Sequence, residues 1–155
     1  MNFNDVLNTP VTDIEKPPLP PFGSYKMIVT KPPVLRQITG KDGTEYDVLD
    51  FICRGLEAGP DVDTSALEAY GPVKNIVQTH TFMFNKSDET AFKTTLSRLR
   101  TFLEKHLNLP VEGIELKEAL PKAVNAAFMA NIQYDPDPRD ASNMFARIKS
   151  TGPVE

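Results

Sequence analysis

A single amphipathic segment stands between two groups of strand-like segments in this chain. Its apolar residues recur every three or four positions, which predicts one helix with one buried stripe: Phe92, Leu96, Leu99, Leu103 and Leu107. Ser87 is a suitable N-cap for this helix, and Asn108 and Pro110 are suitable residues to end it. One helix between two groups of strands differs from the regular strand–helix alternation that builds a parallel sheet.

Alternation of apolar and polar residues predicts three strands before this helix and two after it: residues 23–30, 44–54, 73–84, 122–134 and 143–150. Residues 39–43 are predicted to form a turn, residues 135–142 a turn or exposed loop, and residues 65–69 and 114–120 short helices. This order of elements predicts a mainly β, α+β fold. The specific expectation is an OB-fold-like, five-stranded Greek-key barrel with the helix between strands 3 and 4.

Prolines set the N-terminal segment apart from the rest of the chain. They favour extended polyproline II backbone, and they cluster before the first strand: Pro10, Pro17, Pro18, Pro20 and Pro21. We therefore expect a proline-rich arm at 1–21, a barrel domain at 22–150 and a short tail at 151–155. Phe3, Val6 and Leu7 are available to dock on a neighbouring subunit, so self-association through the arm is expected. A disordered terminus is the alternative.

Charge and cysteine content restrict the classes of function. The formal net charge of -4 argues against binding duplex DNA through bulk positive charge. Cys53 is the only cysteine, so the chain forms no intramolecular disulfide. No apolar stretch approaches the roughly 20 residues that span a bilayer, and the N-terminal residues do not resemble a secretory signal. The sequence therefore predicts a cytoplasmic protein with no membrane partner.

Four stretches resemble the small single-stranded-DNA-binding proteins encoded in phage replication and recombination modules. They are LPPFGSYKMIV (19–29), YDVLDFICR (46–54), FKTTLSRLRTFLEKHLNLP (92–110) and FARIKS (145–150), and the more specific elements are Gly23-x-Tyr25 and Asn143-x-Phe145. The resemblance implies an OB-fold that coats and protects single strands without sequence preference, in the cytoplasm of the host cell. The terminal STGPVE is shorter and less acidic than the usual partner-recruiting tail of such proteins, which puts that route of recruitment in doubt.

Single-strand binding requires aromatic faces for base stacking and cations that follow the phosphate backbone. The predicted strands and their connections carry both kinds of side chain, and they give these candidate nucleic-acid-binding residues: Arg36, Lys41, Tyr46, Arg54, Lys74, His80, Phe82, Phe145, Arg147 and Lys149. The expected partner is single-stranded DNA or RNA. Basic residues of the helix lie on both flanks of its apolar stripe and are interpreted as a solvated rim: Lys93, Arg98, Arg100 and Lys105.

Enzymatic functions find less support in the sequence, so we expect no catalytic residues, no cofactor and no bound metal. His80, His106 and Cys53 do not have metal-ligand spacing. Two weaker alternatives stay open: a metal-dependent nuclease using GPDVD (59–63) with Glu115-x-Lys117, and a Ca²⁺ site in the aspartates of 135–140. A third alternative is a virion or adaptor protein that uses a β-barrel and an extended arm for subunit contacts.

Overall fold

The computed structural model describes residues 2–13 and 18–154 of the chain. Within them, six strands form one antiparallel sheet: β1 (Gly23–Val29), β2 (Val34–Thr39), β3 (Glu45–Ala58), β4 (Val77–Asn85), β5 (Ala127–Asp137) and β6 (Asp140–Gly152). Four α-helices accompany them: α1 (Phe3–Leu7), α2 (Thr64–Tyr70), α3 (Glu89–Thr101) and α4 (Leu116–Ala119). The molecule is therefore mainly β with a few helices. No helix of the described residues is long and apolar enough to cross a membrane.

The long strand β3 organises the sheet. Its N-terminal half pairs with β2 and its C-terminal half with β1, while β4 pairs with residues 46–54 along the opposite edge. From β1 the sheet continues to β5 and then to β6, which gives the order β2-β3-β1-β5-β6 with β4 joined to β3. All of these pairings are antiparallel.

The strand count corrects the prediction of five strands. The segment 34–39 was expected to be a connection, but it forms β2 after the break at Pro32 and Pro33. Its residues are exposed or half-exposed, so they present no apolar face that alternation could reveal. The turn predicted at 39–43 is confirmed, because the Gly40 N–H donates to the Thr44 carbonyl at 2.7 Å and Gly43 has φ 84°.

The second hairpin also differs from the prediction. Residues 135–142 were expected to form a loop, yet β5 runs to Asp137 and β6 begins at Asp140, so only Pro138 and Arg139 form the turn. Pro136 lies opposite Met144 within the pairing. The backbone N–H of Arg139 donates to the Asp137 carboxylate at 2.9 Å and closes the turn.

The long helix is present, and its buried side agrees with the predicted stripe at Leu99, Leu103 and Leu107 but not at Leu96. Its N-cap is Asp88 rather than Ser87, because the Asp88 side chain accepts from the Ala91 N–H at 3.1 Å. After Thr101 the helix widens into a π-helical turn, Phe102–His106, and Asn108 with φ 54° ends it as predicted. Leu96 was expected in the core but is 38% exposed; the core side of the helix carries Thr95, Leu99, Phe102, Leu103 and Leu107.

The proline segment next to the sheet is part of the packed structure. Pro20 and Pro21 are buried, and their carbonyls accept hydrogen bonds from the hydroxyls of Tyr134 (2.7 Å) and Tyr25 (2.5 Å). The Phe22 ring lies edge-on to Tyr134 at 5.7 Å between centroids. At the other end of the chain, β6 extends through Gly152.

A buried glycine of β3 supplies a test of this packing. A Cβ at Gly55 would lie 2.6 Å from the Val73 carbonyl oxygen, whereas a Cβ at Gly152 would meet nothing within 4 Å. Gly55→Ala is expected to lower the free energy of unfolding by about 1–3 kcal/mol through overpacking. Urea unfolding measures the change. Gly152→Ala is the matched control, and an equal change in both variants would contradict the close approach of Val73.

Candidate nucleic-acid interface

Strands β2, β3 and β4 share one side, here called the outer face, whose residues are exposed or half-buried except for the buried Val48. Directly opposed residues of antiparallel strands lie on the same side of a sheet, so the pairing registers define this face. Its members are Val34, Arg36, Ile38, Tyr46, Val48, Asp50, Ile52, Arg54, Val77, Thr79, Thr81, Met83 and Asn85. The alternate residues of β3, Leu49, Phe51 and Cys53, point into the core as predicted.

A fixed polar cluster lies in the middle of the outer face. Asp50 accepts from the Arg36 Nε at 2.6 Å and from the Thr81 hydroxyl at 2.7 Å, which joins all three strands. Arg36 remains half-exposed on the edge strand. The cluster therefore holds one guanidinium at a defined position, with further N–H groups of the side chain available to an acceptor in solvent.

Further cations and apolar groups extend this surface towards both ends of β3. Lys41 lies in the β2–β3 turn, and the half-buried Tyr46 lies near the start of β3. Arg54 lies opposite Val77, and Lys74 precedes Val77 by three residues. Among the described residues, no carboxylate lies within 4 Å of Lys41, Arg54 or Lys74. Exposed apolar side chains lie between the cations: Val34 (50%), Val77 (56%) and Met83 (43%). The outer face thus combines cations with uncovered apolar area.

The three candidates on β6 form a second cluster. Phe145, Arg147 and Lys149 alternate with the buried Ile148, and the Phe145 side chain is 41% exposed. Asp135 of β5 contacts the Arg147 Nη1 at 3.0 Å and the Lys149 Nζ at 2.6 Å. The hydrogen bond from Lys149, with the charges of both cations, holds the pKa of Asp135 below its usual value. One carboxylate therefore orders two cations beside an exposed aromatic ring.

His80 and Phe82 do not belong to the exposed surface, which corrects their assignment. Their side chains are 8% and 1% exposed, and they lie on the core side of β4. The His80 ring packs against Phe82 and Phe102, each at 4.8 Å between centroids. Burial, together with the charge of Arg98, lowers the pKa of His80 to about 4, so the imidazole is neutral at pH 7.

The acidic residues considered as metal ligands have structural roles. Asp61 accepts from the Ser24 backbone N–H at 3.0 Å, and Asp63 caps α2 by accepting from Ala66. Glu115 contacts Lys117 at 3.1 Å on the surface. Across the ranges 2–13 and 18–154, His, Cys, Asp and Glu side chains form no group of three able to hold a metal ion.

Arg98 is exposed, as its assignment to a solvated rim predicts, but the sequence did not indicate that it lies against Phe82. Its guanidinium carbon lies 5.9 Å from the centroid of the Phe82 ring, at the junction of α3 with β4. The nearby Thr95 hydroxyl donates to the Met83 carbonyl at 3.1 Å and fixes this side of the helix against the strand. Residues 95, 98 and 102 are spaced so that they share one side of a helix, which was the available signal in the sequence. Because Thr95 is polar, this side was not predicted to pack against the sheet.

No protein-family model matches this chain, and no curated protein matches it. The fold and the two clusters of cations therefore carry the functional argument by themselves.

Proposed function

We propose that this protein binds single-stranded nucleic acid, chiefly DNA, without sequence preference and protects it during phage DNA replication and recombination. The observation that carries the proposal is the outer face, where Arg36, Arg54 and Tyr46 share one side of a twisted sheet with exposed apolar groups. Stacking surfaces and backbone-tracking cations are what sequence-independent single-strand binding needs. No catalytic step, cofactor or metal is part of this proposal.

We further propose that the sheet is an OB-fold barrel. In this interpretation β1 and β2 are two parts of one bent strand, since both pair along the same edge of β3. The remaining pairings then follow a five-stranded Greek-key path, with α3 between the third and fourth strands and β4 in contact with β6. In such barrels the outer side of the second and third strands is the usual oligonucleotide surface.

Fluorescence anisotropy with labelled oligo(dT) and a duplex of equal length tests the proposed binding. We expect the single strand to bind more tightly, with about 3–5 phosphate contacts and a log–log salt slope of about -2 to -4. Arg54→Ala should reduce the slope by about 0.7, while Lys93→Ala, on the surface of α3 beside Glu89, should leave it unchanged. Equal affinity for both nucleic acids would overturn the proposal, as would cleavage of the strand in Mg²⁺.

The exposed ring on β6 gives a second test. Phe145→Ala is expected to weaken oligo(dT) binding by about fivefold or more, because base–aromatic stacking contributes about 1–3 kcal/mol per base. Met144→Ala is the matched control, since Met144 is the adjacent residue and is 46% exposed. The same anisotropy titration measures both variants. Equal affinities in both variants would remove Phe145 from the interface.

One observation favours a further property, self-association through the N-terminal arm. Helix α1 exposes Phe3 (71%) and Leu7 (66%), one turn apart, ahead of the exposed Val11 (82%). Deletion of residues 2–18 leaves the docked Pro20 and Pro21 in place and should lower the sedimentation coefficient on a long single strand. An unchanged distribution would exclude the arm as a subunit contact. The assembly-protein alternative predicts self-association without any oligonucleotide affinity.

A further inference from the structure

A cleft of about 300 Å³ opens between α3, β4 and β6. Strand β4 contacts β6 here, but within the described pairings β4 is hydrogen-bonded to β3. The floor of the cleft is aromatic and includes Phe82 and Phe102, which are both 1% exposed. Its volume lies at the small end of the range of ligand pockets, roughly 300–1,000 Å³.

The polar lining of this cleft is cationic and rich in hydroxyl groups. Arg98 enters from α3 and Lys149 from β6, and four hydroxyl side chains complete the rim: Ser97, Thr101, Ser150 and Thr151. The lining contains no carboxylate. Asp135 contacts Lys149 and Arg147 together, so the charges of Arg98, Arg147, Lys149 and Asp135 still sum to a net positive value. Among the described residues, no carboxylate oxygen lies within 4 Å of Arg98.

Two histidines, His80 and His106, also line the cleft. The His106 Nδ1 lies 2.7 Å from the Thr151 hydroxyl, which leaves Nε2 as its second polar ring atom. Burial lowers the pKa of both His80 and His106, and for His80 the charge of Arg98 and the proximity of His106 lower it further. Burial thus disfavours the charged form of both rings, and only for His80 do nearby groups add to this effect.

We propose that this cleft binds a phosphate group, with Arg98 and Lys149 as the charged donors and the Ser97 and Ser150 hydroxyls as neutral donors; the Thr101 hydroxyl donates to the Ser97 carbonyl, and the Thr151 hydroxyl is hydrogen-bonded to His106. Guanidinium groups match the geometry of phosphate oxygens, and charge-assisted hydrogen bonds of this kind are the strong ones. The absence of carboxylates from the lining is the feature that separates this cleft from an ordinary charged surface. The phosphate comes either from a nucleic-acid strand, which rests on the proposed function, or from a free phosphate compound, which does not.

Two-dimensional NMR of the histidine rings, with inorganic phosphate titrated at constant ionic strength, tests the site directly. We expect the His106 and His80 ring signals to shift saturably. Arg98→Ala should weaken the apparent affinity by about tenfold, and Arg98→Lys should retain part of it. Arg100→Ala is the matched control, because Arg100 lies two residues away, contacts Glu104 at 3.1 Å and is not part of this cleft. Absence of a saturable shift at both rings would overturn the proposal.

A second experiment, which measures oligo(dT) binding, identifies the source of the phosphate. If a strand supplies it, Arg98→Ala reduces the salt slope of oligo(dT) binding by about 0.7 and Arg100→Ala does not. If oligo(dT) binds with an unchanged slope while inorganic phosphate still shifts His106, the site stands and takes free phosphate compounds. If oligo(dT) does not bind but phosphate does, the proposed function fails and the phosphate site stands. If oligo(dT) binds and phosphate has no effect on either ring, the site fails alone.

Discussion

Replacement of Phe102 with alanine is expected to lower the free energy of unfolding by about 3–5 kcal/mol, the usual cost of truncating a buried aromatic side chain. Phe102 is 1% exposed and stands where the helix meets the sheet. Its ring lies within 6 Å of four others, measured between centroids: Phe51 (5.1 Å), Phe82 (5.6 Å), Phe128 (5.2 Å) and His80 (4.8 Å). The contacts with Phe51 and Phe128 are edge-to-face, and such aromatic pairs contribute stability beyond the apolar area buried.

The size of this loss follows from the position of Phe102 in the fold. The residue begins the π-helical turn, and its ring contacts β3, β4 and β5, so no single neighbour can move to fill the cavity. Since single domains have only about 5–15 kcal/mol of stability, the variant should lose a large part of it. Thermal and urea unfolding measure the change. Phe3→Ala is the control, because Phe3 is 71% exposed; similar losses in both variants would contradict this core.

The helix illustrates how far its sequence pattern could lead. The leucine spacing predicted that the helix exists, and Asn108 with Pro110 predicted its end, because both depend on local properties of the chain. The choice of buried side depended on partners in β4: Thr95 is buried since its hydroxyl reaches the Met83 carbonyl, and Leu96 turns outward. A polar residue that is satisfied by a distant strand cannot be recognised as buried from its own segment.

The strands show the same limit in a different form. β1 was predictable because Tyr25, Met27 and Val29 recur at every second position, and all three are fully buried. β2 was not, since its stability comes from backbone pairing with β3 rather than from an apolar face. Edge strands of this kind carry little signal in their side chains.

The candidate site was predictable where alternation alone decides exposure. Arg54 and Phe145 lie on solvent-facing sides of strands, as their patterns indicated, whereas Arg36 was expected in a connection and lies on β2. For β4 both sides contain apolar residues, so the sequence could not tell which side of His80 and Phe82 faces solvent. The ring of Phe102, from a helix about 20 positions later, covers that side. The cationic cleft was hidden for the same reason, because Arg98, His106 and Lys149 meet only in the folded chain.

The burial of His80 leads to the second large prediction, a loss of stability in mild acid. Burial lowers the pKa of His80 to about 4 in the folded state, whereas an unfolded histidine has a pKa of about 6.5. Below pH 6.5 His80 is therefore protonated in the unfolded chain, whereas it stays largely neutral in the folded chain. The contribution of neutral His80 to the free energy of unfolding is present above pH 6.5 and is lost as the pH decreases towards 4. By linkage, the loss between pH 7.5 and pH 5.0 is about 2 kcal/mol for this residue alone.

Urea unfolding of the wild type and of His80→Phe at pH 7.5 and 5.0, in buffers without phosphate, isolates this effect. The quantity compared is the change in the free energy of unfolding between the two pH values, so any change in the baseline stability of the variant cancels. His80→Phe should lose about 2 kcal/mol less than the wild type over this interval.

His106→Gln is the control: burial lowers the pKa of His106 as well, but this ring is only half-buried, so its variant should retain most of the acid sensitivity. The carboxylates of Asp42, Asp61 and Asp135 contribute little at pH 5.0, because their pKa values are lowered and they stay ionised there. Equal losses in the wild type and in His80→Phe would show that water reaches the imidazole, and the aromatic core around it would then have to be more open than its ring distances indicate.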